Sequence, residues 1–118
     1  MAKKFSLLLG VVLLLVGILG YFTGGHDHNL LGIFGINMNH NLVHILSGIV
    51  GLLAGFGGER YGKLYCLGFG AVYALVTVAG FASVAAVVTM LNLNMADNVL
   101  HLLIAVACLY VGAKSPGA

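Results

Sequence analysis

Four stretches of this chain are apolar over about the length that a helix needs to cross a lipid bilayer. They lie at about residues 5–22, 39–56, 64–84 and 97–113. A membrane-spanning helix needs about 20 consecutive apolar residues, and a run of that length is too long for a buried strand. The sequence therefore predicts an all-α integral membrane protein, with one transmembrane domain of four helices covering residues 1–118.

The composition excludes a soluble catalytic domain. Hydrophobic residues make up 61% of the chain and charged residues 7%, whereas about 25% of a typical soluble domain is charged. The residues outside the four stretches suffice only for short loops and ends. The net charge of +2 is too small and too scattered for a nucleic-acid surface. We therefore expect a lipid bilayer as the main partner and no nucleic acid.

The basic residues all fall on one side of a four-span topology. They are Lys3, Lys4, Arg60, Lys63 and Lys114. Basic residues flanking membrane spans accumulate on the cytoplasmic side. This pattern predicts a multi-pass protein of the inner (plasma) membrane with both termini in the cytoplasm.

A polar motif, Asn-Met-x-x-Asn-x-x-His, occurs twice, at the start of the second and of the fourth predicted helix. At 100° per residue, its polar side chains fall within an arc of about 100° on one helix face. The first polar stripe is Asn37, His40, Asn41 and His44, and the second is Asn94, Asp97, Asn98 and His101. Small residues continue each face: Gly48, Gly51 and Gly55 in the first copy, and Ala105, Cys108 and Gly112 in the second.

The repeat extends to the first and third helices. Placing Lys3 on Lys63 also aligns Gly10 with Gly70 and Gly20 with Gly80. The chain therefore consists of two tandem helical hairpins in the same orientation, which predicts pseudo-twofold symmetry about an axis along the membrane normal. We expect helices two and four to meet at this axis along their small-residue faces.

The third apolar stretch is too long for one straight span. From Leu64 to Leu91 a helix would measure about 42 Å against a hydrocarbon core of about 30 Å, so we expect a break near Gly80 and Ser83. The residues that follow correspond to the outer loop of the first half, in which the triplet His26-Asp27-His28 precedes an apolar segment expected at the membrane interface. Asn37 or Asn39 is expected to cap the second helix, and Asn94 with Asp97 the fourth.

At these motifs the chain resembles a family of small bacterial membrane proteins catalogued as domain of unknown function 4383. The segments that it shares are HNLVHILSG, the Arg60-Tyr61 step and ADNVLHLL. The resemblance covers nearly the whole length and implies a four-helix membrane fold. The family has no assigned reaction, so the resemblance implies no function.

The polar stripes have three possible roles, and the first is structural. Asn41, His44, Asn98 and His101 would hydrogen-bond across the pseudo-twofold axis and fix the register of helices two and four. The protein would then act as a structural or accessory subunit of a membrane assembly, with other membrane subunits or further copies of itself as partners. In this arrangement we expect His44 and His101 to be buried neighbours.

The second possible role is metal binding. His40 and His44 are four residues apart on one helix, as are Asp97 and His101 on the other, so both side chains of a pair point the same way. Three imidazoles and a carboxylate suit Zn²⁺, and in part Cu²⁺ or Ni²⁺.

The third possible role is binding of a non-covalent tetrapyrrole, either haem or chlorophyll. His44 and His101 would be the axial ligands, with Asn41 and Asn98 beside them in the binding site. Neither Cys66 nor Cys108 sits beside a histidine, within one helical turn of it, so we predict no catalytic residue and no enzymatic activity. We expect these two cysteines to be buried and to pack between helices.

Overall fold

The computed structural model describes residues 1–22, 28–30 and 34–115. These residues form five helices: α1 (Ala2–Phe22), α2 (Met38–Gly57), α3 (Glu59–Phe81), α4 (Ala85–Leu91) and α5 (Met95–Lys114). Two three-residue strands, β1 (His28–Leu30) and β2 (Phe34–Ile36), pair antiparallel in the loop between α1 and α2. The remainder of that loop, including His26 and Asp27, lies outside the described residues, so the interfacial placement expected for it stays a prediction.

Four of the helices, α1, α2, α3 and α5, are long and apolar enough to cross a membrane. Their large apolar side chains point outward, for example Leu8, Leu53, Leu75 and Leu103, each more than half exposed. The interior contains small and polar side chains together with a few larger ones such as Leu13 and Tyr65, as expected where lipid surrounds the bundle and packing drives helix association. The predicted all-α membrane four-helix bundle is confirmed.

Each half of the chain forms a tight antiparallel hairpin, α1 against α2 and α3 against α5. The two hairpins make equivalent close contacts at positions that the sequence repeat aligns. Gly55 lies against Leu7 as Gly112 lies against Leu67, and Gly10 lies against Leu52 as Gly70 lies against Leu109. The two tandem hairpins are therefore equivalent in their packing as well as in sequence.

The predicted seam between the small-residue faces of α2 and α5 is wrong. Gly48 lies against the backbone of Gly10 and Leu14 in α1, and Gly112 lies against Leu67 in α3. The described parts of α2 and α5 share no extended backbone contact. The physical reason is that α1 and α3 have glycines of their own, so the closest backbone approach occurs inside each hairpin.

The predicted break in the third apolar stretch is confirmed. Helix α3 ends at Phe81, and Ser83 and Asn92, on either side of α4, have φ angles of 55° and 52°. The carbonyl oxygen of Met90 in α4 accepts hydrogen bonds from the side-chain amides of Asn37 (2.8 Å) and Asn39 (3.2 Å). Helix α4 therefore lies over the start of α2, while β2 of the first half lies beside α5.

The basic residues lie at the opposite end of the bundle. The amino group of Met1 forms an ion pair with Glu59 at 2.8 Å, and Lys63 Nζ donates to the carbonyl oxygen of Ser115 at 2.8 Å. These contacts bring the start of α1, the start of α3 and the end of α5 to one end of the bundle. The polar stripes begin at the other end.

Both cysteines lie in the core as expected. Cys66 on α3 and Cys108 on α5 are fully buried and not joined by a disulfide.

Candidate metal centre

Two asparagines fix where the polar stripes begin. The Asn37 side chain accepts a hydrogen bond from the backbone N–H of His40 at 2.9 Å and caps α2. At α5, Asn94 accepts from the N–H of Asp97 at 2.9 Å, and Asp97 Oδ2 accepts from the N–H of Asn94 at 3.0 Å. This is a complete capping box, so both predicted caps are confirmed. The stripe residues therefore occupy the first two turns of each helix.

Three imidazoles from the two stripes meet in the bundle interior. The ring centroids are 4.4 Å apart for His40 and His44, 5.4 Å for His40 and His101, and 6.1 Å for His44 and His101. Each ring is at most 3% exposed. One nitrogen from each ring lies within 4.8 Å of one from each of the others. The prediction that His44 and His101 are buried neighbours is confirmed, and we call His40, His44 and His101 the histidine cluster.

The histidine cluster has ring nitrogens that the described residues leave without a hydrogen-bond partner. They are both nitrogens of His44 and Nδ1 of His101. A buried polar group without a partner costs about 1–3 kcal/mol, so an additional group that satisfies these nitrogens would stabilise the fold.

The fourth predicted metal ligand, Asp97, does not belong to the histidine cluster. It is buried, but its carboxylate forms part of the capping box. The structure thus brings together three of the four residues predicted to bind metal. Asp97 is the repeat equivalent of His40, and its position in the third residue of α5 aims its short side chain back at the N-terminal cap.

The two asparagines predicted beside the axial histidines lie against glycines of their own hairpins. Asn41 packs on Gly20 of α1, and Asn98 packs on Gly80 of α3. A Cβ atom at either glycine would overlap the neighbouring amide. Within the described part of the chain, both amide atoms of Asn41 and Oδ1 of Asn98 have no hydrogen-bond partner. The expected hydrogen bonds across the axis are therefore not formed by the Asn41 amide or by Oδ1 of Asn98.

The structure adds one residue that the sequence analysis missed, Tyr73 on α3. Its side chain is 2% exposed, and its ring centroid lies 5.5 Å from that of His101. The sequence feature that could have identified Tyr73 is a break in the repeat, because Leu13 occupies the equivalent position of the first half. Tyrosine at this position adds a hydroxyl group where the first half has an apolar side chain.

The histidine cluster has the donor set and approximate size of a transition-metal site. Zn–N bonds of about 2.0–2.1 Å in a tetrahedron place ligand nitrogens about 3.4 Å apart. The three nitrogens lie within 4.8 Å of one another, so small side-chain rotations suffice to reach this spacing. Three imidazoles leave one coordination position for a further ligand.

The same geometry disfavours a tetrapyrrole between His44 and His101. A tetrapyrrole ring held by two axial imidazoles lies in the plane midway between them, so no side chain can occupy that plane. The ring of His40 lies 4.4 Å and 5.4 Å from these two rings, and it occupies part of that plane.

Comparison with known proteins identifies a family and assigns no activity. No curated protein and no solved structure matches the chain. One family profile, described as a domain of unknown function (DUF4383), matches residues 3–114. Because this match spans nearly the whole chain, the protein belongs to the DUF4383 family of membrane proteins.

Proposed function

We propose that this membrane protein binds a transition-metal ion, Zn²⁺ or Cu²⁺, through His40, His44 and His101. One observation carries the proposal: three buried imidazoles from two helices place their nitrogens within 4.8 Å of one another. The proposed function is metal binding rather than catalysis.

The environment of the cluster favours a borderline metal over a hard one. Imidazole nitrogens suit Zn²⁺, Cu²⁺ and Ni²⁺, whereas Mg²⁺ and Ca²⁺ require oxygen ligands. The nearby carboxylate of Asp97 is engaged at the α5 cap, so the cluster offers mainly nitrogen. A bound ion would also satisfy the ring nitrogens of His44, which have no partner among the described residues.

Metal titration of the purified, metal-free protein in detergent tests the proposal. We expect about one Zn²⁺ or Cu²⁺ per chain by calorimetry and elemental analysis, with binding lost in His44→Ala and in His101→Ala. A Tyr65→Phe variant, which removes a buried hydroxyl that donates to Ser47 and leaves the three imidazoles in place, is the control and should bind normally. Equal binding by His44→Ala and the wild type would contradict the proposal.

A structural role is the second candidate function. It is favoured by the observation that the imidazoles meet where α2 and α5 have no extended backbone contact, so the cluster adds a contact between the hairpins to the packing of α3 on α1 and α2. Under this proposal the protein is a structural or accessory subunit of a membrane assembly. A metal-free protein that copurifies with other membrane subunits, and whose two hairpins separate in a His44→Leu, His101→Leu variant, would support it.

For orientation, we propose that the protein lies in the inner membrane with both termini in the cytoplasm. The five basic residues flank the ends that the Met1–Glu59 and Lys63–Ser115 contacts bring together, and positive charge marks the cytoplasmic side. The histidine cluster then lies near the outer surface, where metal ions from outside the cell would reach it.

A further inference from the structure

We propose that helix α4 is a lid over the histidine cluster and that the side chains of Asn37 and Asn39 hold it closed. The inference rests on the proposed metal-binding function and adds the route by which an ion reaches that site. Opening of the lid sets the rates at which a transition-metal ion enters and leaves the cluster.

The histidine cluster is closed to solvent although it lies near one end of the bundle. His40 and His44 belong to the first two turns of α2, and His101 belongs to the second turn of α5. Each of the three side chains is at most 3% exposed. A hydrated ion therefore reaches the ring nitrogens only when an element that covers them moves.

Helix α4 is attached to α2 at the end where the cluster lies. Asn37 makes the connection, because its side-chain nitrogen donates to the carbonyl oxygen of Met90 at 2.8 Å and its side-chain oxygen accepts from the backbone N–H of His40 at 2.9 Å. A single side-chain amide thus separates the backbone of α4 from that of a cluster residue. Asn39 donates to the same carbonyl oxygen at 3.2 Å. The position of α4 is therefore linked directly to that of His40.

Helix α4 is held less firmly than the four long helices. Leu91 is the single buried residue of α4, and the two amide hydrogen bonds to Met90 join the helix to α2. The long helices instead approach one another backbone to backbone, as Gly48 of α2 does with Gly10 of α1. Elements with few buried contacts open at the lowest free-energy cost. Movement of α4 would leave the packing inside each hairpin intact.

Both ends of α4 have a backbone conformation suited to a hinge. Ser83 precedes the helix with a φ angle of 55°, and Asn92 follows it with a φ angle of 52°. Residues other than glycine rarely adopt this left-handed region. Rotation of these two residues into a commoner region would relieve the cost and move α4 as a unit, as hinges at the ends of an element do.

Two rates, measured in wild-type protein and in Asn39→Ala, test the proposal. The first is the labelling of His40, His44 and His101 by diethyl pyrocarbonate in metal-free protein, resolved by mass spectrometry, which measures access to the imidazoles without any metal. The second is the association rate of Zn²⁺ by stopped flow. One hydrogen bond changes an opening equilibrium by about 2–10-fold, so we expect both rates to rise by that factor. The dissociation rate of Zn²⁺ should rise equally, which leaves the affinity unchanged.

Thr89→Ala is the matched control. It removes an exposed side chain from α4 itself and leaves both hydrogen bonds to Met90 in place, so its rates should equal those of the wild type. In the double variant Asn37→Ser, Asn39→Ala, serine still provides a cap for α2, but both amide donors are gone. Its two rates should exceed those of Asn39→Ala. Circular dichroism in detergent establishes that each variant is folded.

The possible results separate the lid from the metal site. Unchanged labelling and unchanged Zn²⁺ association in both Asn39 variants would overturn the lid, and one Zn²⁺ per chain in the same samples would leave the metal site standing. Faster labelling in a protein that binds no metal would support the lid and contradict the metal-binding function. An equal rise in Thr89→Ala would also overturn the proposal, because the two asparagines would then not be what holds α4 closed.

Discussion

Substituting Gly48 with alanine tests the packing of the first hairpin. A Cβ atom at this position would lie 2.6 Å from the backbone nitrogen of Leu14 and 2.7 Å from the carbonyl oxygen of Gly10, whereas ordinary contact begins at 3.4 Å. Both obstacles are backbone atoms, so no side-chain rotation relieves the overlap. Helices α1 and α2 must therefore move apart.

The cost can be estimated against a matched control. Gly68→Ala in α3 adds the same methyl group in a helix, but nothing lies within 4 Å of it. Both variants gain about 1 kcal/mol from the better helix propensity of alanine, so their difference isolates the overlap. Overpacking of this kind costs about 1–3 kcal/mol, and in lipid the lost van der Waals contact is a main source of helix association.

Denaturant unfolding in detergent micelles, followed by circular dichroism, measures the difference. We expect Gly48→Ala to be about 1–3 kcal/mol less stable than Gly68→Ala. A difference of less than about 0.5 kcal/mol, which is the usual range for surface substitutions, would refute the glycine-mediated contact between α1 and α2.

Three further predictions follow from the ends of the bundle and from the cluster. A reporter fused after Lys114 should report a cytoplasmic location, and a fused alkaline phosphatase that is active there would show the opposite topology. An Asn39→Ala variant, which leaves the Asn37 cap of α2 intact, should lose about 0.5–1.5 kcal/mol, because one hydrogen bond to Met90 disappears; hydrogen exchange in α4 should rise, and unchanged exchange would argue against this attachment. Zn²⁺ at 100 times its dissociation constant should stabilise the wild type by about 2.7 kcal/mol but not His44→Ala, and equal stabilisation of both would place the ion elsewhere.

The sequence predicts the features of this fold that depend on neighbours along the chain. The apolar stretches predict the spans, the caps at Asn37 and Asn94 predict where two helices start, and Ser83 marks the end of α3. Each of these depends on local hydrogen bonding or on helix length. These are properties of a single segment.

Contacts between helices could be predicted only in part. Helical spacing places His40 beside His44, but it gives no distance to the second stripe. It therefore does not predict that Asp97 stays out of the histidine cluster or that the Tyr73 ring lies beside His101. Glycines occur on all four spans, and several helix pairings bury them equally well. The pairing of Gly48 with α1 rather than α5 depends on three-dimensional fit that the pattern does not contain.

Two residues of the histidine cluster, His44 and His101, stand at equivalent positions of the repeat, and the third, His40, has Asp97 as its equivalent. Where the halves are equivalent, as at Gly20 with Asn41 and Gly80 with Asn98, the contacts are made inside a hairpin. Where they differ, as at His40 against Asp97, the structure assigns the first to the cluster and the second to a helix cap. A symmetric scaffold with an asymmetric interior allows the site to change without loss of the fold. Substitutions of Gly20 and Gly80 should therefore act on stability, and substitutions of His40, His44 and His101 should act on binding.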